Sequence, residues 1–540
     1  MKKSTISSAI RCVIASIALS SSVAYAGEIG PRATEKANNG SNKIVNLIVT
    51  YYVKPGAKDE DEIKIRNGSV KHAFKVIKAH AISIPENAIK GLLNNPNIDR
   101  ITFDEPMTQL AKPGGSSSTT SLPTGPGFMY PELATMPYTG TGVGVAVIDS
   151  GSRFHTDLAI DFTGTVIDSA DDVYGHGNHV AGIIGGHGSK GYYTGIAPGS
   201  SLISLKALND DGFGNASDVI EALDWVLVNK DQYNIKVANL SLGHPVYQPA
   251  ADDPLVQAVE AVWNEGVTVV CSAGNAGTFG YGTISSPGNS SRVITVGSIT
   301  HWGDTDPSND IISTYSSKGP TKGDHFVKPD LVAPGNRVIS TRSAGSYLET
   351  FFPERLIKVP KAKKAEYFQM SGTSMSAAVV SGAVALMLDK EPTLNPDTIK
   401  ARLMRSAKKP IVADVFSTGA GVLDINAALN ESGTVQNAPS PRAYQDVASG
   451  MLGFDKTSVL WGGQEWALSY LWSDSYLWSD GYIQTDSYLW SDSYLWSDSY
   501  LWSDSYLWSD SYLWSDSYLW SDSYLWSDSY LWSDFAMVDD

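Results

Sequence analysis

Residues 377–388, Ala-Ala-Val-Val-Ser-Gly-Ala-Val-Ala-Leu-Met-Leu, are apolar all round and free of proline. As a helix this stretch has no face to offer water, so it must be buried on every side rather than laid on a surface. A small, hydroxyl-rich turn, residues 369–376 (Gln-Met-Ser-Gly-Thr-Ser-Met-Ser), delivers the chain into it, and Gly372 permits a tight backbone there. Ser374 then stands at the positive end of the helix dipole, among backbone N–H groups that lack helical partners. A serine so placed can be a plain N-cap. It can also be a nucleophile whose oxyanion those N–H groups hold, and the residues upstream decide between the two.

The 540 residues leave room for two or three domains, including one large core. The net charge of −17 is unevenly placed: Lys456 is the last basic residue, and the 14 acidic residues beyond it leave residues 1–456 at −3. A nearly neutral body gives no footprint for nucleic acid. At the N-terminus Lys2, Lys3 and Arg11 accompany an apolar run through Val13, Ile14, Ile17, Ala18 and Leu19, which ends in Ala24-Tyr25-Ala26 before Gly27. That is the pattern of a signal-peptidase site, and the run is too short to span a membrane. A secreted protein is expected, whether extracellular, periplasmic or retained at the cell surface, with no membrane span. Cys12 leaves with the signal, so the mature chain keeps only Cys271 and cannot form an internal disulfide.

Residues 43–110 read as a small α/β unit. It has a strand at 44–51, a short helix at 85–93 with Pro85 in its first turn, and a returning strand at Ile101-Thr102-Phe103. A Gly/Ser/Thr/Pro-rich joint at 112–127 follows, the expected place for proteolysis. From Tyr138 onward strands alternate with helices. The apolar run 143–148 ends at Asp149, a helix over 217–229 carries Val219, Leu223, Val226 and Leu227, and further apolar strands end near Ser241 and at Cys271. This predicts an α/β fold, a doubly wound, mostly parallel sheet with helices on both faces. Ligands bind at the carboxyl ends of such strands, so Asp149, Ser241 and Asn275 are expected on one rim.

Four stretches carry the chemistry: Asp149-Ser150-Gly151; Tyr174-Gly175-His176-Gly177; Ala273-Gly274-Asn275; and Gly372-Thr373-Ser374. Singly each is a turn or a glycine loop. Together they supply a hydroxyl, a base that titrates near neutral pH, a carboxylate to orient the base, and a side-chain amide. In this order and with these flanks the chain resembles the subtilisin-like serine peptidases across residues 127–430. Residues 328–335 (Lys-Pro-Asp-Leu-Val-Ala-Pro-Gly) resemble the marker that precedes the nucleophile, and 208–212 through 286–288 resemble the AprX-type bacterial branch.

The resemblance implies a subtilisin-like fold and a serine endopeptidase that cuts protein or peptide substrates through an acyl-enzyme. Asp149, His176 and Ser374 would be catalytic, with Asp149 fixing the imidazole tautomer. Asn275 and the Ser374 N–H would form the oxyanion hole. Ser241, Leu242 and Gly243 would bind substrate, which adds as a strand beside them. Residues 43–110 resemble the family's propeptide, with Asn95-Pro96-Asn97-Ile98 and Asp104-Glu105-Pro106 in the expected places. A self-processed precursor is therefore implied, cut in the 112–127 joint, with its own propeptide as inhibitor and chaperone.

The chain departs from the family pattern at Asn178, Ser376 and Ala378, and its segment 348–368 is longer than usual; it could border the substrate cleft, and is read here as a surface loop. No cofactor is required for the chemistry. A structural calcium ion is implied at Asp157, yet Ser189 replaces the expected asparagine ligand and Lys190 adds a positive charge, which weakens that site.

From Ser469 to Asp534 the chain is a hexapeptide-repeat tail of eleven hexads, ten of them Ser-Tyr-Leu-Trp-Ser-Asp. A period of six fits strands or a stacked solenoid better than a helix. A cell-surface or polysaccharide ligand for stacked aromatics is one expectation; a low-complexity spacer is the other. The division read from the sequence is signal peptide 1–26, propeptide 27–112, linker 113–126, catalytic domain 127–431, linker 432–468 and repeats 469–534. The rival reading is a surface-binding or adhesion protein acting through the tail, with an idle protease fold.

Overall fold

The computed structural model describes residues 27–110, 125, 129–189, 192–301, 309–360, 362–408, 414–445 and 452–454. The signal segment, most of the 113–126 linker and the repeats 469–534 lie outside the described residues.

The N-terminal unit is a five-stranded sheet of β1 (Glu28–Ile29), β2 (Ile44–Tyr51), β3 (Ser69–Ala73), β4 (Ala79–Pro85) and β5 (Ile98–Phe103), in the order β1-β5-β2-β4-β3. Successive side chains of a strand point to opposite faces, and here both faces are used. Leu47, Val49, Ile82 and Ile84 build a private core with Ala33 and Ile63 of helices Pro31–Asn39 and Ala57–Ile65. Ile48, Ala79 and Ala81, in alternation with them, join the large core of the rest of the chain. The unit is thus held to the rest of the chain in part by hydrophobic burial around Ile48, Ala79 and Ala81.

Beyond it, β6 (Pro106–Gln109) leaves the unit, and the main sheet follows. Its strands are β7 (Gly144–Asp149), β8 (Ile160–Thr165), β9 (Ser201–Lys206), β11 (Ile235–Leu240), β13 (Thr268–Ser272), β14 (Ile294–Thr300), β15 (Ile311–Ile312) and β16 (Leu331–Pro334). Between them come two short strands outside this sheet, β10 (Phe213–Asn215) and β12 (Leu242–Gly243). The eight-stranded order runs β8-β9-β7-β11-β13-β14, with β15 and β16 both on β14, and every pairing is parallel except β14 with β15. Strand order reverses between β7 and β11, which opens a crevice at their carboxyl ends. Asp149 closes β7 and Ser241 follows β11 at that point.

Helix Thr373–Lys390 is buried from Thr373 through Leu388, as its sequence requires, and packs on β11, β13, β14 and β16. Helix His176–Gly185 packs beside it, while Ala216–Asn229 and Pro254–Asn264 form a second pair against β7 and β13. No helix among the described residues is long and apolar enough to cross a membrane.

Two expectations need correction. The segment from 432, read as linker, is docked: Ser440 donates to Asp330 Oδ1 at 2.5 Å, and Val327 N–H donates to the Pro441 carbonyl at 2.7 Å. Its anchor is a fully buried cluster, Lys328–Asp330–Lys400, whose charges must be paired because water cannot reach them. The segment 348–368, read as a surface loop, begins as helix Tyr347–Phe351, and its far end enters β19 (Tyr367–Met370), which pairs with β17 (Val338–Thr341) and β18 (Leu356–Ile357).

Candidate active site

Asp149, at the end of β7, and His176, at the start of its helix, are both fully buried, and Asp149 Oδ1 lies 2.6 Å from His176 Nδ1. The same oxygen accepts the Ser150 N–H at 2.7 Å. The contact depends on two glycines. Gly151 has φ +100°, and a Cβ on Gly177 would stand 2.2 Å from the Gly151 carbonyl oxygen, so only glycine lets helix and strand end meet.

A residue that sequence reasoning missed holds this junction. Asp172 is fully buried; it accepts from Ser150 Oγ (2.8 Å), Gly175 N–H (2.7 Å) and Asn178 N–H (2.8 Å), while Ser150 Oγ accepts from Gly177 N–H (2.9 Å). One carboxylate therefore ties the strand end to the first turn of the histidine helix. Burial pushes its pKa up to about 6 against those hydrogen bonds, with Asp149 adding to the rise. An acid four residues before a helix-initiating histidine was the signal available.

Ser374 lies in the first turn of its helix. Its Oγ donates to the Ser241 carbonyl at 3.1 Å, and Ser241 Oγ donates back to the Ser374 carbonyl at 2.9 Å. His176 Nε2 is buried with no hydrogen-bond partner among the described residues. Asn275 follows the end of β13, and its Oδ1 accepts from Thr373 N–H (3.1 Å) and Thr373 Oγ (3.0 Å). A backbone N–H can only donate, so the amide oxygen is fixed on that side and Nδ2 is left as the outward donor.

The cleft holds part of the chain itself. β6 lies between β10 and β12, antiparallel to both, with Thr108 opposite Phe213 and Gln109 opposite Leu242. Leu110 N–H donates to the Ser241 carbonyl at 3.2 Å, and Ser374 N–H donates to the Leu110 carbonyl at 3.3 Å. Met107 is fully buried. Residues 241–243, named from the sequence, form one wall; residues 213–215 form the other and were missed, because a three-residue strand has no periodicity to read. Leu110 Cδ1 lies 3.0 Å from the position a Cβ on Gly243 would take.

Asp104 and Glu105 fasten this segment. Asp104 accepts from Ser217 N–H (2.9 Å) and Oγ (2.7 Å), and the Glu105 carbonyl accepts Ala216 N–H (2.8 Å), so the pair caps helix Ala216–Asn229 from outside.

The departures from the family pattern are satisfied locally. Asn178 accepts Arg153 N–H (2.7 Å) and donates to the Arg153 and Arg342 carbonyls (both 3.0 Å). Ser376 Oγ donates to the Ala333 carbonyl (2.9 Å).

Asp157 does not look like a cation ligand. Its Oδ1 accepts from Ser189 N–H (2.9 Å) and Ser189 Oγ, and its Oδ2 from the buried Tyr367 hydroxyl. Burial works against ionisation, yet the hydrogen bonds from Ser189 and Tyr367 hold the carboxyl below its usual range. No group of three His, Cys, Asp or Glu side chains among the described residues could hold a metal. Both carboxylate oxygens of Asp157 are thus taken by protein donors, which does not fit its expected part as a calcium ligand.

A buried Asp–His pair, a serine at a helix N-terminus and a strand-binding crevice at a sheet's switch point define a serine hydrolase built to hold extended peptide. Residues 140–433 match the Subtilase family (Peptidase_S8), and the chain belongs to that family of serine peptidases. It is 38% identical over 304 residues to serine protease AprX of Bacillus subtilis, covering 53% of this chain and 66% of that protein. With subtilisin E of the same organism it shares 29% identity over 405 residues, 74% of this chain and 92% of that protein. Among solved structures it is similar to fervidolysin from Fervidobacterium pennivorans, a keratinolytic enzyme related to subtilisin, with a TM-score of 0.60 at 21% identity over 78% of this chain and 64% of that one. Subtilases need no cofactor for catalysis.

Proposed function

We propose that the chain is a secreted serine endopeptidase, made as a precursor that cuts itself after Leu110. The observation that carries this reading is the Leu110 carbonyl, 3.3 Å from the Ser374 N–H at the end of a strand paired on both sides. Residues 27–110 are then the propeptide, two residues shorter than the boundary expected from the joint. A strand clamped between two others presents one carbonyl to the nucleophile and cannot slide.

A rotation about the Ser374 Cα–Cβ bond exchanges the Ser241 carbonyl for the imidazole. Ser374 Oγ then attacks the Leu110 carbonyl carbon as its proton passes to His176 Nε2, and Asp149 stabilises the imidazolium. The oxyanion is held by Ser374 N–H and Asn275 Nδ2. The Leu110–Ala111 bond breaks, the leaving amine takes the proton from His176, and Leu110 remains as an ester on Ser374. Water, deprotonated by His176, hydrolyses the ester and restores the serine. Other proteins enter the same crevice once residues 106–110 leave. The uncharged surroundings of Leu110 at Gly243 favour uncharged side chains at the cleaved position. The adhesion reading is not favoured, because the chain belongs to a family of serine peptidases and carries Asp149, His176 and Ser374 in its order.

The test is mass spectrometry of the secreted protein and of its Ser374→Ala variant, made in a protease-deficient host. Wild type should begin at Ala111 and the variant should keep residues 27–110 attached. A mature end elsewhere would move the scissile bond. A variant that still matures would remove self-processing.

A further inference from the structure

The geometry points to Tyr174, braced by Tyr347, as a specificity-determining residue that selects a carboxamide side chain one position before the cleaved residue. This rests on the peptidase reading above and extends it to substrate choice. Gln109, the residue before Leu110, donates from Nε2 to the Tyr174 hydroxyl at 2.7 Å.

That hydroxyl is rigidly presented. Tyr174 is buried and sits two residues before His176, so its backbone is fixed with the catalytic loop. Gly212 lies against one part of the ring, where a Cβ would approach its Cζ to 2.8 Å. The Tyr347 ring stacks on it at 5.7 Å and 16°, and Phe351 stacks on Tyr347 at 4.2 Å. Backbone bonds lock the brace in place: Tyr347 N–H to the Val173 carbonyl (2.8 Å) and Leu348 N–H to the Tyr174 carbonyl (3.1 Å). Tyr347 stands just before the long segment 348–368 and opens the helix Tyr347–Phe351 that leads into it. Its helix is a buttress for the cleft.

The chemistry of the hydroxyl decides what it prefers. A phenol both donates and accepts, and a carboxamide can answer either role. A leucine in the same place would bury the hydroxyl without a partner. A glutamate could accept, but Asp149 and Asp172 already act on Tyr174 with negative charge, and a third carboxylate beside them is disfavoured. Burial pushes the Tyr174 hydroxyl up to about 12, so it is neutral and able to donate throughout the working range of an imidazole base.

The test uses the matured enzyme and peptides Met-Thr-X-Leu joined to a reporting amine, with X as Gln, Glu or Leu. Wild type should favour Gln over Leu by about 3- to 10-fold in kcat/KM, the worth of one hydrogen bond, and should disfavour Glu further. Tyr174→Phe should erase the Gln-to-Leu ratio, lowering turnover of the Gln peptide more than that of the Leu peptide. Tyr347→Ala should reduce the ratio while Ser374 still labels with an active-serine probe, which shows that the site has folded. Equal wild-type rates for Gln and Leu, or a ratio that survives in Tyr174→Phe, would overturn the assignment while leaving the peptidase standing. No turnover of any of the three would remove the peptidase reading and this inference with it.

Discussion

The backbone nitrogen of Ser374 and the carbonyl oxygen of Leu110 stand 3.3 Å apart, one at the head of the buried helix and the other at the end of the N-terminal unit. The N–H is one of the orphan donors of a helix start. The carbonyl is the acceptor that a peptidase of this family would polarise. Their pairing joins two parts of the chain that the sequence presents as separate domains.

Replacing Asn275 by Ala should lower kcat on the order of 10²-fold, the scale of loss known for the corresponding side-chain donor in subtilisin. KM should change little, because the amide bonds the oxyanion more strongly than the ground-state carbonyl. Steady-state kinetics on a small peptide decide it, and a change confined to KM would reassign Asn275 to substrate binding.

Release of residues 27–110 after cleavage should become easier as pH rises. Burial pushes Asp104 up to about 6 beside Ser217, with Asp218 raising and Lys71 lowering it, and pushes Glu105 up to about 8 against the pull of Arg32, with Asp253 and Asp104 raising it further. His72 is raised to about 9 by its hydrogen bonds to Asp224 and Glu221. In all three the docked state holds its proton more tightly than the free chain. Docking is therefore strongest below the free pKa values and weakens as pH climbs through 6, 8 and 9. The apparent inhibition constant of the cleaved unit should weaken by about tenfold or more between pH 6 and 9. A constant that is flat or tightens would refute the linkage.

Tyr367→Phe should destabilise the fold by about 1–3 kcal/mol, since it leaves one oxygen of the buried Asp157 without its hydroxyl donor. Chelator should leave the wild-type midpoint in denaturant unchanged, because Ser189 and Tyr367 supply what a cation would. A chelator-induced drop that Asp157→Asn abolishes would show that a metal competes for this carboxylate.

Truncation after residue 454 should leave hydrolysis of small peptides nearly unchanged, while truncation after 431 should not. Ser440 and Pro441 bind Asp330 and Val327 just before β16, so the second cut strips partners from a buried charge cluster. Equal activity in both truncations would mean that the docked segment is dispensable.

Much of this protein was legible as residue order. The all-apolar stretch 377–388 required a helix enclosed by a large core, and strand-ending Asp149, Ser241 and Asn275 required a common rim. Both follow from local rules, periodicity and the polarity of strand ends, which act within a few residues. What lay beyond them depends on contacts between distant segments. Asp172 carries no motif of its own; its place is set by where β7 and the histidine helix meet. Residues 213–215 become a strand only because β6 lies alongside. Asp157 matched a ligand pattern, yet Tyr367, remote in the chain, fills its second oxygen. Composition placed the cut that would free the N-terminal unit in the 112–127 joint, whereas the two-sided pairing of residues 106–109 is what supports the proposed cut after Leu110. Composition reports where a chain can be cut, and only the packing of that chain into its own cleft decides which carbonyl meets the nucleophile.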